Sequence, residues 1–120
     1  MKDDSDNPEE TRVTKLNTPV RLEAPQESCL VQIYGPELGK RYPLSESEIS
    51  LGRDPKCSIT IDLDNVSRRH AQVVTREAAA FVVDLGSTNG TLVNGAKVGT
   101  AILRQGDTIQ IGSVAFRFEA

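Results

Sequence analysis

Short alternations of apolar and polar residues repeat along most of the chain, and turn-forming residues separate them. The segment Val114–Glu119 (VAFRFE) alternates cleanly, and Ser28–Tyr34 (SCLVQIY) alternates well enough for a first strand. Asn94-Gly95 lies between two short apolar runs and is the strongest two-residue hairpin signal in the chain. Because no ten-residue stretch has a helical period, the pattern predicts an all-β fold, an antiparallel β-sandwich of some ten short strands.

The remaining apolar runs that predict strands are Arg41–Leu44, Glu48–Leu51, Ile59–Ile61, His70–Thr75, Ala79–Leu85, Thr91–Val93, Lys97-Val98 and Thr108–Ile111. Residues 1–27 are polar, contain three prolines and have no sustained periodicity, which is typical of an extended or disordered tail. The sequence therefore predicts a flexible tail over residues 1–27 and one domain over residues 28–120. We also expect further protein to follow Ala120, since the last predicted strand ends one residue earlier.

Charge and composition exclude several classes of function. The tail holds seven acidic and four basic side chains, whereas residues 28–120 hold ten of each. A neutral domain has no general attraction for nucleic acid, so we expect no nucleic-acid partner. The longest apolar run has six residues, where a membrane span needs about 20, and no signal peptide is recognisable. We expect a cytoplasmic protein that does not contact a membrane.

Metal and disulfide chemistry are also unexpected. Cys29 and Cys57 are too few for a disulfide framework, and with a single histidine they cannot complete a four-ligand zinc site. Gly35 to Lys40 (GPELGK) looks like part of a phosphate-binding P-loop, but it is one residue too short and opens no helix. The sequence predicts neither a metal site nor a cofactor.

Three turn-rich motifs stand beside predicted strands: LGRD at residues 51–54, VSRRHA at residues 66–71 and DLGSTNGT at residues 84–91. Loops at one end of a sandwich have this layout, and these loops carry cations, hydroxyls and an amide. An Arg fork, short hydroxyls and free backbone N–H groups are what a phosphate dianion needs. A solvated Arg53 after Gly52 would be ordinary by itself, so the prediction of a phosphopeptide site depends on the combination.

The combination of G-R, S-x-x-H and N-G-T with a following N-G resembles the forkhead-associated (FHA) domain, a fold related to the SMAD domains, over about residues 28–119. The resemblance implies an eleven-stranded sandwich that binds phosphothreonine peptides. It implies that Arg53, Ser67 and Arg68 bind the phosphate, that Thr88 lines the pocket and that Asn89 holds the main chain of the ligand. Structural support would come from Gly52, His70, Gly90 and Asn94.

Residues next to the three motifs have simpler structural interpretations beside the functional ones. Asn94-Gly95 is most simply a hairpin turn, and Lys56 is a candidate for the rim of the pocket. If residues 67–70 are extended, Arg69 points away from Arg68 as a solvated charge. The same alternation places Ser67 and His70 on opposite faces, where they could not act as nucleophile and base. The sequence therefore predicts a binding module and not an enzyme, with no catalytic residue.

The tail offers a candidate ligand. Thr11 and Thr14 lie in an acid-led segment that a Ser/Thr kinase could phosphorylate, and some bacterial FHA proteins resemble this arrangement. We therefore expect a phosphoprotein of a bacterial signalling pathway, which binds a phosphothreonine-containing partner or its own phosphorylated tail. The alternative is the N-terminal regulatory domain of a larger enzyme, such as a GGDEF-type diguanylate cyclase, with catalysis beyond residue 120.

Overall fold

The computed structural model describes residues 28–120, which form eleven β-strands. The strands are β1 (Cys29–Tyr34), β2 (Arg41–Pro43), β3 (Glu48–Gly52), β4 (Ile59–Thr60), β5 (Ala71–Arg76), β6 (Ala79–Asp84), β7 (Thr91–Val93), β8 (Ala96–Val98), β9 (Thr100–Leu103), β10 (Thr108–Ile111) and β11 (Val114–Glu119). The predicted tail over residues 1–27, with Thr11 and Thr14, lies outside the described residues. No helix among residues 28–120 is long and apolar enough to cross a membrane.

The strands form two sheets, one with the order β2-β1-β11-β10-β7-β8 and the other with the order β4-β3-β5-β6-β9. This arrangement confirms the predicted all-β sandwich. All pairings between the described strands are antiparallel except the short β3–β4 pair, which is parallel. In that pair Leu51 lies opposite Ile59 and Gly52 opposite Thr60. The loop between β3 and β4 therefore brings the chain back beside β3, and β4 then runs in the same direction as β3.

The core lies between the sheets and consists mainly of Val, Ile and Leu, as a chain without Trp requires. Strand β11 shows the predicted alternation, since Val114, Phe116 and Phe118 are buried and the residues between them are not. Phe116 is fully buried and meets Tyr42 edge to face, with ring centroids 5.9 Å apart. The buried cluster draws residues from both sheets.

The Asn94-Gly95 hairpin is confirmed. Strands β7 and β8 pair around it with Val93 opposite Ala96, and both turn residues have positive φ, 51° for Asn94 and 85° for Gly95. Two-residue hairpins of this kind favour an Asn-Gly sequence because both residues tolerate a left-handed backbone. Strand β9, which follows Gly99 directly and pairs with β6, is not among the strands predicted from the sequence.

Candidate functional site

A depression at one end of the sandwich is formed by three loops, those between β3 and β4, between β4 and β5, and between β6 and β7. These are the loops that contain the three motifs. All five residues that the FHA resemblance assigns to the ligand lie around this one depression. Its lining consists of Arg53, Asp64, Asn65, Val66, Ser67, Arg68, Thr88 and Asn89.

Arg53 is held in place by backbone atoms of the neighbouring loop. Its backbone N–H donates to the Ser67 carbonyl at 3.0 Å, and its side-chain Nε donates to the Val66 carbonyl at 3.1 Å. Within residues 28–120, the two terminal Nη groups make no hydrogen bond or ion pair. The guanidinium is therefore anchored at one nitrogen and keeps its fork available for an anion, although the side chain is exposed.

The hydroxyl of Ser67 joins two of the loops. Its Oγ accepts a hydrogen bond from the Thr88 backbone N–H at 3.0 Å. Since a hydroxyl carries one proton and two lone pairs, an oxygen that accepts here still has its own proton to donate. Ser67 can therefore hold the loop and donate to a phosphate oxygen at the same time.

Arg68 contributes a second cation to the depression and pairs with an acidic neighbour. Its Nη2 lies 3.7 Å from Oδ2 of Asp54, and 74% of the arginine side chain is exposed. An exposed pair of this kind contributes little to stability, so a dianion could draw Arg68 away from Asp54 at little cost. The pKa of Asp54 is lowered, chiefly by a hydrogen bond from the Lys56 backbone, and Arg68 adds to this effect.

Asn89 links the third loop to the second. Its Nδ2 donates to the backbone carbonyl of Asn65 at 3.0 Å. A side-chain amide has a second N–H and a carbonyl oxygen, so one hydrogen bond leaves both groups able to pair with the main chain of a peptide. Asn89 is exposed, as such a contact requires.

His70 connects the loops from beneath. It is fully buried, its Nδ1 accepts from the Ser67 backbone N–H at 3.0 Å, and its Nε2 lies 2.9 Å from the Gly90 carbonyl. Since Nδ1 accepts, Nε2 carries the proton and donates to Gly90. The histidine supports the pocket from below and lies away from its open surface.

Residues 67–70 are not extended, because Arg68 and Arg69 form a turn. The alternation of faces expected for an extended segment therefore does not apply to them. The turn lies beside a tertiary contact in which the His70 N–H donates a hydrogen bond to the Leu51 carbonyl. No local sequence pattern predicts that contact. The turn brings Ser67 and His70 within hydrogen-bond distance, although the serine uses its backbone nitrogen and not its hydroxyl. No nucleophile–base pair between Oγ and the imidazole is seen.

Asp84 organises the loop that carries Thr88 and Asn89, and the sequence reasoning missed it. Its carboxylate accepts from the backbone N–H groups of Gly86 and Ser87 and from the hydroxyls of Ser87, at 2.5 Å, and Thr91, at 2.8 Å. Partial burial raises the pKa of Asp84, but these hydrogen bonds outweigh it and the net pKa is lowered. The sequence feature that could have indicated this role is an Asp at the end of a strand before a Gly-Ser turn, because Asp side chains commonly accept hydrogen bonds from the backbone of such turns.

The remaining support residues differ in position. Gly52 lies where a β-carbon would collide with the Arg68 carbonyl, and Gly90 has φ 87° with the Lys97 side chain close by. Asn94 lies at the far end of β7 from the depression, and its side chain bonds Asp107 at 3.0 Å and the Thr108 N–H at 2.9 Å. Asn94 therefore supports the hairpin and makes no hydrogen bond to the lining residues.

Lys56 and Arg69 lie around a different depression, which they share with Ser50, Asp54 and Cys57. Neither belongs to the lining of the first depression, although Arg69 is adjacent in sequence to Arg68. Lys56 is therefore not part of that pocket's rim in this structure. Arg69 is exposed, as a solvated charge would be.

A model of the FHA domain family matches residues 49–112, more than half of the chain. The chain belongs to the FHA domain family. It is 42% identical over 94 residues to the glycogen accumulation regulator GarA of Mycobacterium tuberculosis, covering 78% of this chain and 58% of that protein. It is also 42% identical over 93 residues to the oxoglutarate dehydrogenase inhibitor of Corynebacterium efficiens, covering 78% and 66%.

These relatives are longer, so the FHA chain spans about three fifths to two thirds of their length. A solved structure from a study of phosphothreonine-dependent FHA domain interactions superimposes with a TM-score of 0.73 at 32% identity. That match covers 79% of this chain and 97% of the other. The family match confirms the resemblance found from the three motifs, and the two relatives are named as a regulator and an inhibitor.

Proposed function

We propose that this FHA domain binds phosphothreonine peptides in the depression between its three loops, as a regulatory module without catalysis. The observation that carries the proposal is the convergence of Arg53, Ser67 and Arg68 on one depression, beside Thr88 and Asn89. Support from relatives comes from the solved structure that belongs to a study of phosphothreonine-dependent FHA domain interactions.

The electrostatics of the depression favour a doubly charged ligand. A phosphothreonine carries about −1.5 to −2 charges at neutral pH. Hydrogen bonds to charged groups contribute about 1.5–3 kcal/mol each, and ordering a flexible peptide takes back about 2–5 kcal/mol. Reversible binding that vanishes on dephosphorylation is the expected result. An aspartate, with one charge and a planar head group, should be a poor substitute.

Titration of matched peptides tests the proposal. Peptides that differ only in phosphothreonine, phosphoserine or unmodified threonine would be titrated into the wild type and into Arg53→Ala. We expect Arg53→Ala to lose at least about tenfold in affinity, equivalent to about 1.4 kcal/mol. Phosphoserine should bind about fourfold more weakly, since it lacks one methyl group worth about 0.8 kcal/mol when buried.

Arg69→Ala is the matched control, because it removes a neighbouring cation that lies outside the depression. Equal losses from Arg53→Ala and Arg69→Ala would indicate general charge attraction and contradict a built phosphate site. Binding of the unmodified peptide as tight as that of the phosphopeptide would contradict the proposal altogether.

We further propose that the phosphorylated N-terminal tail competes for this pocket. From Thr11 to Ser28 the chain can span about 56 Å, at about 3.3 Å per residue, whereas a domain of this size has a radius of gyration of about 12–13 Å. Tethering gives an effective concentration of about millimolar. The regulator and inhibitor among the relatives are compatible with such control, whereas neither supports the GGDEF-type alternative.

Phosphorylation by a Ser/Thr kinase, with mass spectrometry to locate the site among Thr11 and Thr14, tests self-binding. A labelled phosphothreonine peptide should bind the phosphorylated protein much more weakly than the unphosphorylated protein. Undiminished peptide binding by the phosphorylated protein would contradict occupancy by the tail.

A further inference from the structure

A second groove lies at the end of the sandwich opposite the phosphate depression. Strand β6 runs between the two, because Ala79 and Ala80 at its start line the groove and Asp84 at its end begins the loop to β7. The β5–β6 and β9–β10 turns contribute to the groove, as do the first and last described residues, Ser28 and Ala120. We call it the far groove, and its volume of about 340 Å³ lies within the range of ordinary ligand pockets.

The floor of the far groove is apolar. Ala80, Leu103 and Phe118 line it, and all three belong to the buried core between the sheets. Three consecutive alanines, residues 78–80, also line the groove, and their small side chains leave it open. The far groove is therefore a gap in the cover of the core, where an added apolar side chain would be withdrawn from water.

One polar group in the wall of the far groove has no partner. The hydroxyl oxygen of Thr75 is buried, and it is the only buried side-chain nitrogen or oxygen among residues 28–120 that makes no hydrogen bond. Buried polar groups in folded proteins are nearly always paired, because an unpaired group loses its hydration and gains nothing in return. We therefore expect a partner from outside residues 28–120, and the groove is the side from which it can enter.

Arg104 supplies a positive charge at the far groove. It is exposed, and its guanidinium makes no hydrogen bond or ion pair with the residues that the structure describes. The Asp107 carboxylate accepts from the backbone N–H of Arg104 and not from its side chain. The groove thus combines an apolar floor, a buried hydroxyl and an available cation. This combination suits an extended segment in which an apolar side chain stands next to a carboxylate.

Residues 20–25 of this chain have that chemistry and are tethered beside the groove. They read Val20-Arg21-Leu22-Glu23-Ala24-Pro25, so apolar residues alternate with charged ones as far as Ala24, and a carboxylate directly follows Leu22. Since Ser28 lines the groove, Leu22 lies within six residues of it, at most about 20 Å of extended chain. The tether gives this segment an effective concentration of about millimolar, an advantage that a separate molecule lacks.

We infer that residues 20–25 dock in the far groove of their own domain. Leu22 packs against Phe118, the Glu23 carboxylate pairs with the available guanidinium, and a main-chain group of the segment bonds the buried hydroxyl. The contact needs no phosphate and therefore goes beyond the proposed function. Thr11 still has about 30 Å of extended chain before position 20, and β6 spans about 20 Å, so the phosphate depression stays within its reach.

Unfolding and NMR measurements on the whole, unphosphorylated chain test this inference. Leu22→Ser should lower the folding equilibrium constant about tenfold, because it removes an apolar side chain from the edge of the core. Leu16→Ser is the matched control, since it makes the same change outside the docked segment and should leave the constant as it is. Nuclear Overhauser contacts between the Leu22 methyl groups and the Phe118 ring should be present in the wild type. Equal urea midpoints for the two variants, or the absence of these contacts, would overturn the inference.

Thr75→Val gives an independent measurement, because valine replaces the hydroxyl by a methyl group of similar size. The change should destabilise the wild type, where the docked segment pairs the hydroxyl, and should have a smaller effect in the Leu22→Ser chain. Stabilisation of both chains by the same factor would show that the hydroxyl has no partner and would contradict the inference.

The same variants separate this docking from other occupants and from the proposed function. Phosphopeptide affinity should be unchanged in Leu22→Ser, and Arg53→Ala should retain the contacts between Leu22 and Phe118, so each of the two proposals can fail alone. Unfolding midpoints that fall on dilution, or contacts that prove intermolecular in a mixture of labelled and unlabelled chains, would place a second copy in the groove. Either result would overturn docking of the chain's own segment.

Discussion

The carbonyl oxygen of Arg68 occupies the space into which a β-carbon on Gly52 would project. The Cys57 sulfur lies 3.1 Å from the same point, and it also donates to that carbonyl at 3.4 Å. The close approach lets the Arg53 and Asp54 N–H groups reach the carbonyls of Ser67 and Arg68. A glycine directly before Arg53 is thus a packing requirement.

Gly52→Ala should therefore separate the two loops and destabilise the domain by about 2–3 kcal/mol, as overpacking does. Phosphopeptide affinity should fall as well, since Arg53 is positioned by the same contacts. Gly99→Ala is the matched control, because nothing lies within 4 Å of its β-carbon. Urea unfolding of both variants measures the difference in stability. Equal unfolding midpoints would show that the Arg68 turn can move away from a β-carbon at residue 52 without cost, and would contradict this prediction.

His70→Ala should destabilise the domain by about 2–4 kcal/mol, because it leaves a cavity and two unpaired backbone groups, the Ser67 N–H and the Gly90 carbonyl. Since the side chain is fully buried, the loss should appear in unfolding experiments without any ligand. A His70→Ala variant as stable as the wild type would contradict the role of His70 as a support between the loops.

The two asparagines of the N-G pairs should behave in opposite ways. Asn89→Ala should weaken phosphopeptide binding about tenfold and change stability little, because Asn89 is exposed and adds a single bond to the Asn65 carbonyl. Asn94→Ala should leave affinity unchanged and destabilise by about 1–2 kcal/mol, since Asn94 has φ 51° and bonds Asp107 and Thr108. Paired titration and unfolding measurements would reveal the contrast, and a loss of affinity in both variants would refute it.

Asp84 should make stability depend on acid pH. Its pKa is lowered in the folded protein, so its contribution is present above the unfolded pKa and is lost as the pH falls through the folded value. Asp84→Asn should cost about 1–3 kcal/mol near neutral pH, where the carboxylate accepts its four hydrogen bonds. The variant should also lose less stability than the wild type between about pH 5 and about pH 3.

Asp62→Asn is the control for this comparison, since Asp62 is exposed and accepts no side-chain hydrogen bond among residues 28–120. Urea titrations at several pH values would measure the difference. Parallel pH profiles for the wild type and Asp84→Asn would exclude Asp84 as a source of the acid dependence.

The sequence predicts most of the strands and the membership of the pocket, because strand alternation and turn residues are local signals. It does not predict β9, since Thr100–Leu103 follows β8 after one glycine and offers no separate alternation. The turn at Arg68 and Arg69 depends on the contact between His70 and Leu51, which are far apart in sequence. The position of Asn94 away from the pocket likewise follows from the pairing of β7 with β10.

The pocket is shaped largely through main-chain oxygens. The side chain of Arg53 donates a hydrogen bond to the Val66 carbonyl. The side chains of Asn89 and His70 likewise donate to the carbonyls of Asn65 and Gly90. Every residue type supplies such an oxygen, so Asn65 could be exchanged without removing the acceptor that Asn89 uses, whereas Val66 is buried in the core and has to stay apolar. An engineer could therefore vary the exposed positions of the loop that carries Asn65 to retarget the domain to new phosphopeptides, while the main-chain contacts that hold Arg53 stay as they are.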